Sequence, residues 1–155
     1  MKKYELTEET FTVFGKTLYR IRAVRDFGSV KTGEFGGYIE KEENLSHFGD
    51  AWVYGNAKVY GDARVSGNAW VYGNAKVFNT RHFFVQGPIG SRDGYVTFYR
   101  TKDDTVEVRC GCFSGSLQEF VNQVEETHGG SRYEKEYKLA AELAKVCIRL
   151  EGESR

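Results

Sequence analysis

The chain has 155 residues, with 22 Lys and Arg set against 22 Asp and Glu and a pI near 6.8. That length allows one domain, or one with a small appendage, and the balanced charge gives no reason to expect the clustered cations that a binder of DNA or RNA polymers needs. No stretch approaches the ~18 consecutive apolar residues of a membrane span, and polar residues follow Met1 in place of an apolar signal core, so the expected location is the cytoplasm.

The first predicted element is a hairpin, Thr10-Phe-Thr-Val-Phe14, turning at Gly15-Lys16 into Thr17-Leu-Tyr-Arg-Ile-Arg22. It is expected to lie as a lid on the repeat that begins at Leu45. Gly33 to Ile39 is a glycine-rich lead-in, and residues 1–43 form the N-terminal cap.

From Leu45 the chain reads in sixes: Leu45-Ser-His-Phe-Gly-Asp50, Ala51-Trp-Val-Tyr-Gly-Asn56, Ala57-Lys-Val-Tyr-Gly-Asp62, and so on to Thr80. An Ala and a Val alternate with larger, more polar residues, the pattern of a strand with one buried face. The Gly-Asn or Gly-Asp at the end of each unit is turn chemistry. Residues 51–59 recur verbatim as 69–77. Three six-residue edges make one coil of eighteen, which sets Trp52 over Trp70, Tyr54 over Tyr72 and Lys58 over Lys76. The expected fold is mainly β: a short parallel β-helix over 44–86, with an N-terminal hairpin cap and a small C-terminal α+β module. This repeat resembles the hexapeptide-repeat family, and the resemblance implies a left-handed coil. Two coils cannot bury their own apolar faces, so flanks or other subunits must complete them.

After Thr80, Arg81-His-Phe-Phe-Val85 reads as the last edge of the coil. The remainder, 87–155, is expected to be a ββαα module. Tyr95–Arg100 and Val106–Cys110 alternate around a polar turn, Ser116-Leu-Gln-Glu119 is a capping box, and a second helix is expected over 133–149. Three cysteines without a C-x-x-C pair argue against a disulfide framework or a structural zinc site. No metal or cofactor is expected. The whole arrangement, with Gly36-Gly-Tyr-Ile-Glu40, Asn44-Leu-Ser-His47, the Gly-Asn-Ala repeats, Ile89-Gly-Ser-Arg-Asp-Gly94 and Cys110-Gly-Cys-Phe113, resembles phage and prophage hexapeptide-repeat proteins often labelled transferases. That resemblance implies residence in a bacterial host cell.

Three functional readings are open. Hexapeptide-repeat acyltransferases use a histidine as general base between subunits, which makes His82 and His47 the alternative catalytic candidates; His47 takes the place of an inward Val and is expected to cap the coil. Gly87, Gly90 and Gly94 surround Ser91 and Arg92, an arrangement that suits a phosphate, since glycine lets backbone amides approach an anion; Arg100 and Arg109 lie on the adjoining hairpin. This favours a non-enzymatic oligomer that captures a small anionic, nucleotide-like ligand, and the phage resemblance suggests a host-defence signal. The ladder Trp52, Trp70, Tyr54 and Tyr72 is the expected subunit interface, and the family resemblance implies a trimer or a multiple of one. The third reading is a structural or protein-binding oligomer that docks through its C-terminal helices.

Overall fold

The structure, a computed structural model, describes residues 2–151. The fold is mainly β with a C-terminal two-helix module, and its sheets are mixed and antiparallel. The chain divides into two compact units, the first ending at Thr80 and the second beginning at Arg81. No helix among the described residues is long and apolar enough to cross a membrane.

In the first unit, β1 (Tyr4–Val13) and β2 (Lys16–Ala23) form an antiparallel hairpin, and β2 continues antiparallel onto β3 (Phe35–Ile39). Short strands come next: β4 (Trp52–Val53), β5 (Lys58–Val59), β6 (Trp70–Val71) and β7 (Lys76–Val77). They pair in parallel, with Trp52 on Trp70, Val53 on Val71, Lys58 on Lys76 and Val59 on Val77. The small and branched residues of each repeat, from Ala51 to Val77, are buried. The hairpin is therefore part of the sheet β1-β2-β3-β5-β7, and its tip lies along the outside. Phe11 meets the Lys58 ammonium at 4.4 Å and Phe14 meets that of Lys76 at 4.9 Å.

The parallel stack starts earlier than the hexapeptide alignment predicts. Tyr38 pairs with Lys58, Ile39 with Val59, and Leu45 with Val65, each twenty residues apart. Eighteen is restored at Gly49, where a Cβ would come within 2.8 Å of the Gly67 carbonyl oxygen. Leu45, not His47, thus fills the inward slot above Val65. The reason is chemical: a leucine satisfies an apolar interior, whereas an imidazole there would lose its hydrogen bonds. Two glycines make the lead-in fit. A Cβ on Gly36 or Gly37 would stand 2.5 Å from the Val53 or Ala57 carbonyl oxygen.

Asn44 closes this joint. Its buried amide donates to the carbonyls of Gly61 (3.2 Å) and Ala63 (2.9 Å) and accepts from the backbone of Glu40 (3.2 Å) and Lys41 (3.0 Å). Glu40 accepts from the Gly61 amide at 2.9 Å, and that bond holds its carboxyl below the usual range.

The second unit has four strands in place of the two expected: β8 (Phe83–Ile89), β9 (Gly94–Arg100), β10 (Val106–Cys110) and β11 (Phe113–Ser116), antiparallel in the order β11-β10-β9-β8. Phe83 to Val85 do not end the parallel stack. They pair with Tyr99, Phe98 and Thr97, because Phe84 finds an apolar neighbour in Phe98 at 6.0 Å. The Cys110-Gly-Cys-Phe113 segment is a two-residue hairpin turn, with Gly111 at φ 56°. The capping box is present as read, and α1 (Leu117–His128) and α2 (Arg132–Cys147) complete the unit. Val96, Phe98 and Val108 form one core with Phe120, Val124, Ala140, Ala141, Ala144 and Ile148.

Candidate functional site

The two histidines singled out for catalysis are both engaged in the fold. His82 lies in a one-turn 3₁₀ segment, Thr80–His82, and is 4% exposed. It does not face outward, as strand alternation would have it, because the strand begins only at Phe83. Burial pushes its imidazole down to about 4, and the Arg100 charge acts in the same sense. His47 stacks on the Tyr4 ring at 4.1 Å, with an interplanar angle of 11°. Its Nδ1 accepts from the Lys3 amide at 3.0 Å and its Nε2 meets Glu42 Oε1 at 2.7 Å. Both nitrogens of the His47 ring are thus taken within the chain, and the His82 ring is buried.

The four residues proposed for an anion are not gathered at one place. Ser91 and Arg92 are exposed on the turn between β8 and β9. Arg100 stands at the far end of the seven-residue β9, roughly 20 Å away at ~3.3 Å per residue. It is 4% exposed and spans Asp104 at 2.9 Å and Glu151 at 3.5 Å. Its role is therefore structural: a buried guanidinium needs carboxylates. Arg109, half-buried, sits in the middle of the sheet between Thr97 and Ser114.

Sequence reasoning missed what the turn does meet. The Gly90 amide donates to Glu136 Oε1 at 2.7 Å, which ties the turn to the start of α2. Arg132, exposed, lies 3.9 Å from the same carboxylate. Arg92 acts on Tyr137, whose phenol is raised mainly by burial and lowered in part by the Arg92 charge. A Cβ on Gly90 would overlap the Tyr137 hydroxyl. Glu136 and Arg132 thus lie beside the turn that carries Ser91 and Arg92, with Tyr95 41% exposed on the adjoining strand. No sequence spacing links Gly90 and Glu136; only the folded turn does.

Of the aromatic ladder expected to form an interface, Trp52 is not on the surface. It is fully buried, edge-on to Phe27 at 5.1 Å and to Tyr4 at 6.4 Å, because the N-terminal segments fold over the first copy of the repeat. Trp70, Tyr54 and Tyr72 stay half-buried. Tyr54 and Tyr72 stack at 4.8 Å and 22°, with Trp70 tilted against Tyr54 at 6.2 Å. Among the described residues no group of three His, Cys, Asp or Glu side chains could hold a metal. No protein-family model matches the chain, and no curated protein is significantly similar to it.

Proposed function

We propose that this chain is a non-enzymatic, oligomeric binding protein of the hexapeptide-repeat, phage-type class, built on a short left-handed parallel β-helix that runs from β3 to β7. Parallel pairs at a spacing of eighteen, with like residues on like, support the helical reading. The ligand is a small anion of nucleotide type. Ser91 and Arg92, joined by Arg132, are the groups that would contact its phosphate, and an exposed aromatic such as Tyr95 would stack its base. The half-buried ladder Trp70, Tyr54 and Tyr72 is the surface on which copies associate, and the trimer is the expected assembly.

The observation that carries this reading over an acyltransferase is the engagement of both histidines. A general base must reach the proton it abstracts, and His82 is buried while both nitrogens of His47 are hydrogen-bonded within the chain. The test is to denature the purified protein and look for released nucleotide by mass spectrometry and ultraviolet absorbance. A stoichiometric ligand, lost in Arg92→Ala, is expected. Acyl-CoA turnover abolished by His82→Ala or His47→Ala would overturn the proposal.

A further inference from the structure

We infer that His47 is an acid-sensitive latch on the N-terminal strand: the ring holds the start of β1 only while its Nδ1 carries no proton. This stands apart from the ligand proposal and rests on different residues. The Lys3 amide is a donor, so the nitrogen it meets at 3.0 Å must offer a lone pair. The other nitrogen, 2.7 Å from Glu42, then carries the hydrogen and donates it to the carboxylate. An added proton can go only to Nδ1. There it sets one N–H against another, and an attractive contact becomes a repulsive one. The tie to Glu42 is strengthened by the same proton, so the imidazolium stays with Glu42 and the loss falls on Lys3. The ring's side chain is 21% exposed, which gives protons from solvent access to it.

What the latch holds is substantial. The Lys3 ammonium, fully buried, donates to the Ala51 carbonyl at 2.6 Å and lies 4.7 Å from the Phe27 ring. Burial first, then Arg25, lowers its affinity for a proton to a pKa of about 8, with Asp50 opposing. The next residue, Tyr4, stacks on His47 and donates to the Leu45 carbonyl at 2.6 Å. The Lys3 carbonyl receives the Val24 amide at 2.9 Å. The charged groups acting on the ring and on the Lys3 and Tyr4 it holds are Glu42, itself 3.5 Å from Lys2, then Glu43, Asp50, and Arg25, which donates to the His47 carbonyl at 3.1 Å. Two of these cations, Lys3 and Arg25, oppose a third positive charge beside them. Release of Lys3 and Tyr4 would take from Trp52 the Tyr4 ring that, with Phe27, packs on it edge-on.

Residue-resolved hydrogen exchange tests this by comparing about pH 7.5 with about pH 5.5. After correction for intrinsic rates, protection of the Lys3 and Val24 amides should fall roughly tenfold or more at the lower pH, as local opening predicts. The Tyr60 amide, bonded to Val77, should lose clearly less protection than these two. In His47→Gln the fall at the Lys3 and Val24 amides should be no larger than that at Tyr60. Unchanged protection in the wild-type protein, the same fall in His47→Gln, or an equal fall at Tyr60 overturns the latch. Nitrogen chemical shifts of the wild-type ring give a reading that needs no variant. Nδ1 must be proton-free at the higher pH and gain its proton in step with the amide loss; a hydrogen on Nδ1 at the higher pH ends the idea.

Discussion

Among single residues, His82 and His47 show how one side-chain type is put to two uses by its surroundings. His82 is enclosed, and its imidazole is kept neutral by desolvation and by Arg100. The unfolded chain therefore binds a proton there at a pH where the folded chain does not, between an ordinary 6.5 and about 4. Stability must fall as the pH drops through that window and change no further from this source below it. The full difference is worth roughly 3 kcal/mol. His82→Gln removes the titration. Urea unfolding of wild type minus variant should be flat above about pH 6.5 and decline steadily towards about pH 4. A difference that is flat across the whole range contradicts the burial argument. The sequence offers no warning of it. His82 sits one residue ahead of an alternating strand, and simple alternation turns it outward.

At the level of elements, the repeat is legible in the sequence and its beginning is not. Alternating Ala and Val with a Gly-Asn turn specify short strands, and the verbatim recurrence after eighteen residues specifies which strand lies on which. The lead-in obeys neither rule. Ile39 and Leu45 pair at twenty, so a search in sixes steps over them and assigns His47 to the slot that Leu45 fills. Strand β8 escapes the sequence pattern for a related reason. A run of apolar residues continues a coil as readily as it opens a new sheet, and only the pairing of Phe84 with Phe98 decides. Where the short parallel strands and the lead-in meet, Asn44 carries the joint with four hydrogen bonds to backbone. Asn44→Ala strands the Gly61 and Ala63 carbonyls, while the Glu40 amide keeps the Val59 carbonyl as acceptor and the exposed Lys41 can turn to water, at about 1 kcal/mol or more for each group that stays dry. A loss of about 2 kcal/mol or more is expected from denaturant unfolding. A loss below about 1 kcal/mol would mean that water or a shifted backbone replaces the amide.

For the molecule as a whole, the unmet demand is cover for apolar area. Repeat units bury their faces only against neighbours, and about three or more are usually required. The chain meets part of this within itself, because β3 adds Ile39 above Val59 and the hairpin tip shelters Tyr60, Val13 and Leu18 in a small outer cluster. It covers Trp52 in the same way. It leaves the second copy, Trp70, half-exposed beside Tyr54 and Tyr72, and it leaves Leu139, Leu143 and Val146 uncovered along α2. Rigid aromatic side chains in a row are what subunit interfaces concentrate at their centres. If association uses the ladder, Tyr54→Ser with Tyr72→Ser should leave the circular dichroism of the fold intact, since the rings point away from the valine interior, yet lower the native mass from a multiple of 17.6 kDa to a single chain. Exposed α2 supplies the control. Leu139→Ser with Leu143→Ser should leave the native mass unchanged, and the reverse pattern would move the interface from the repeat to the helix.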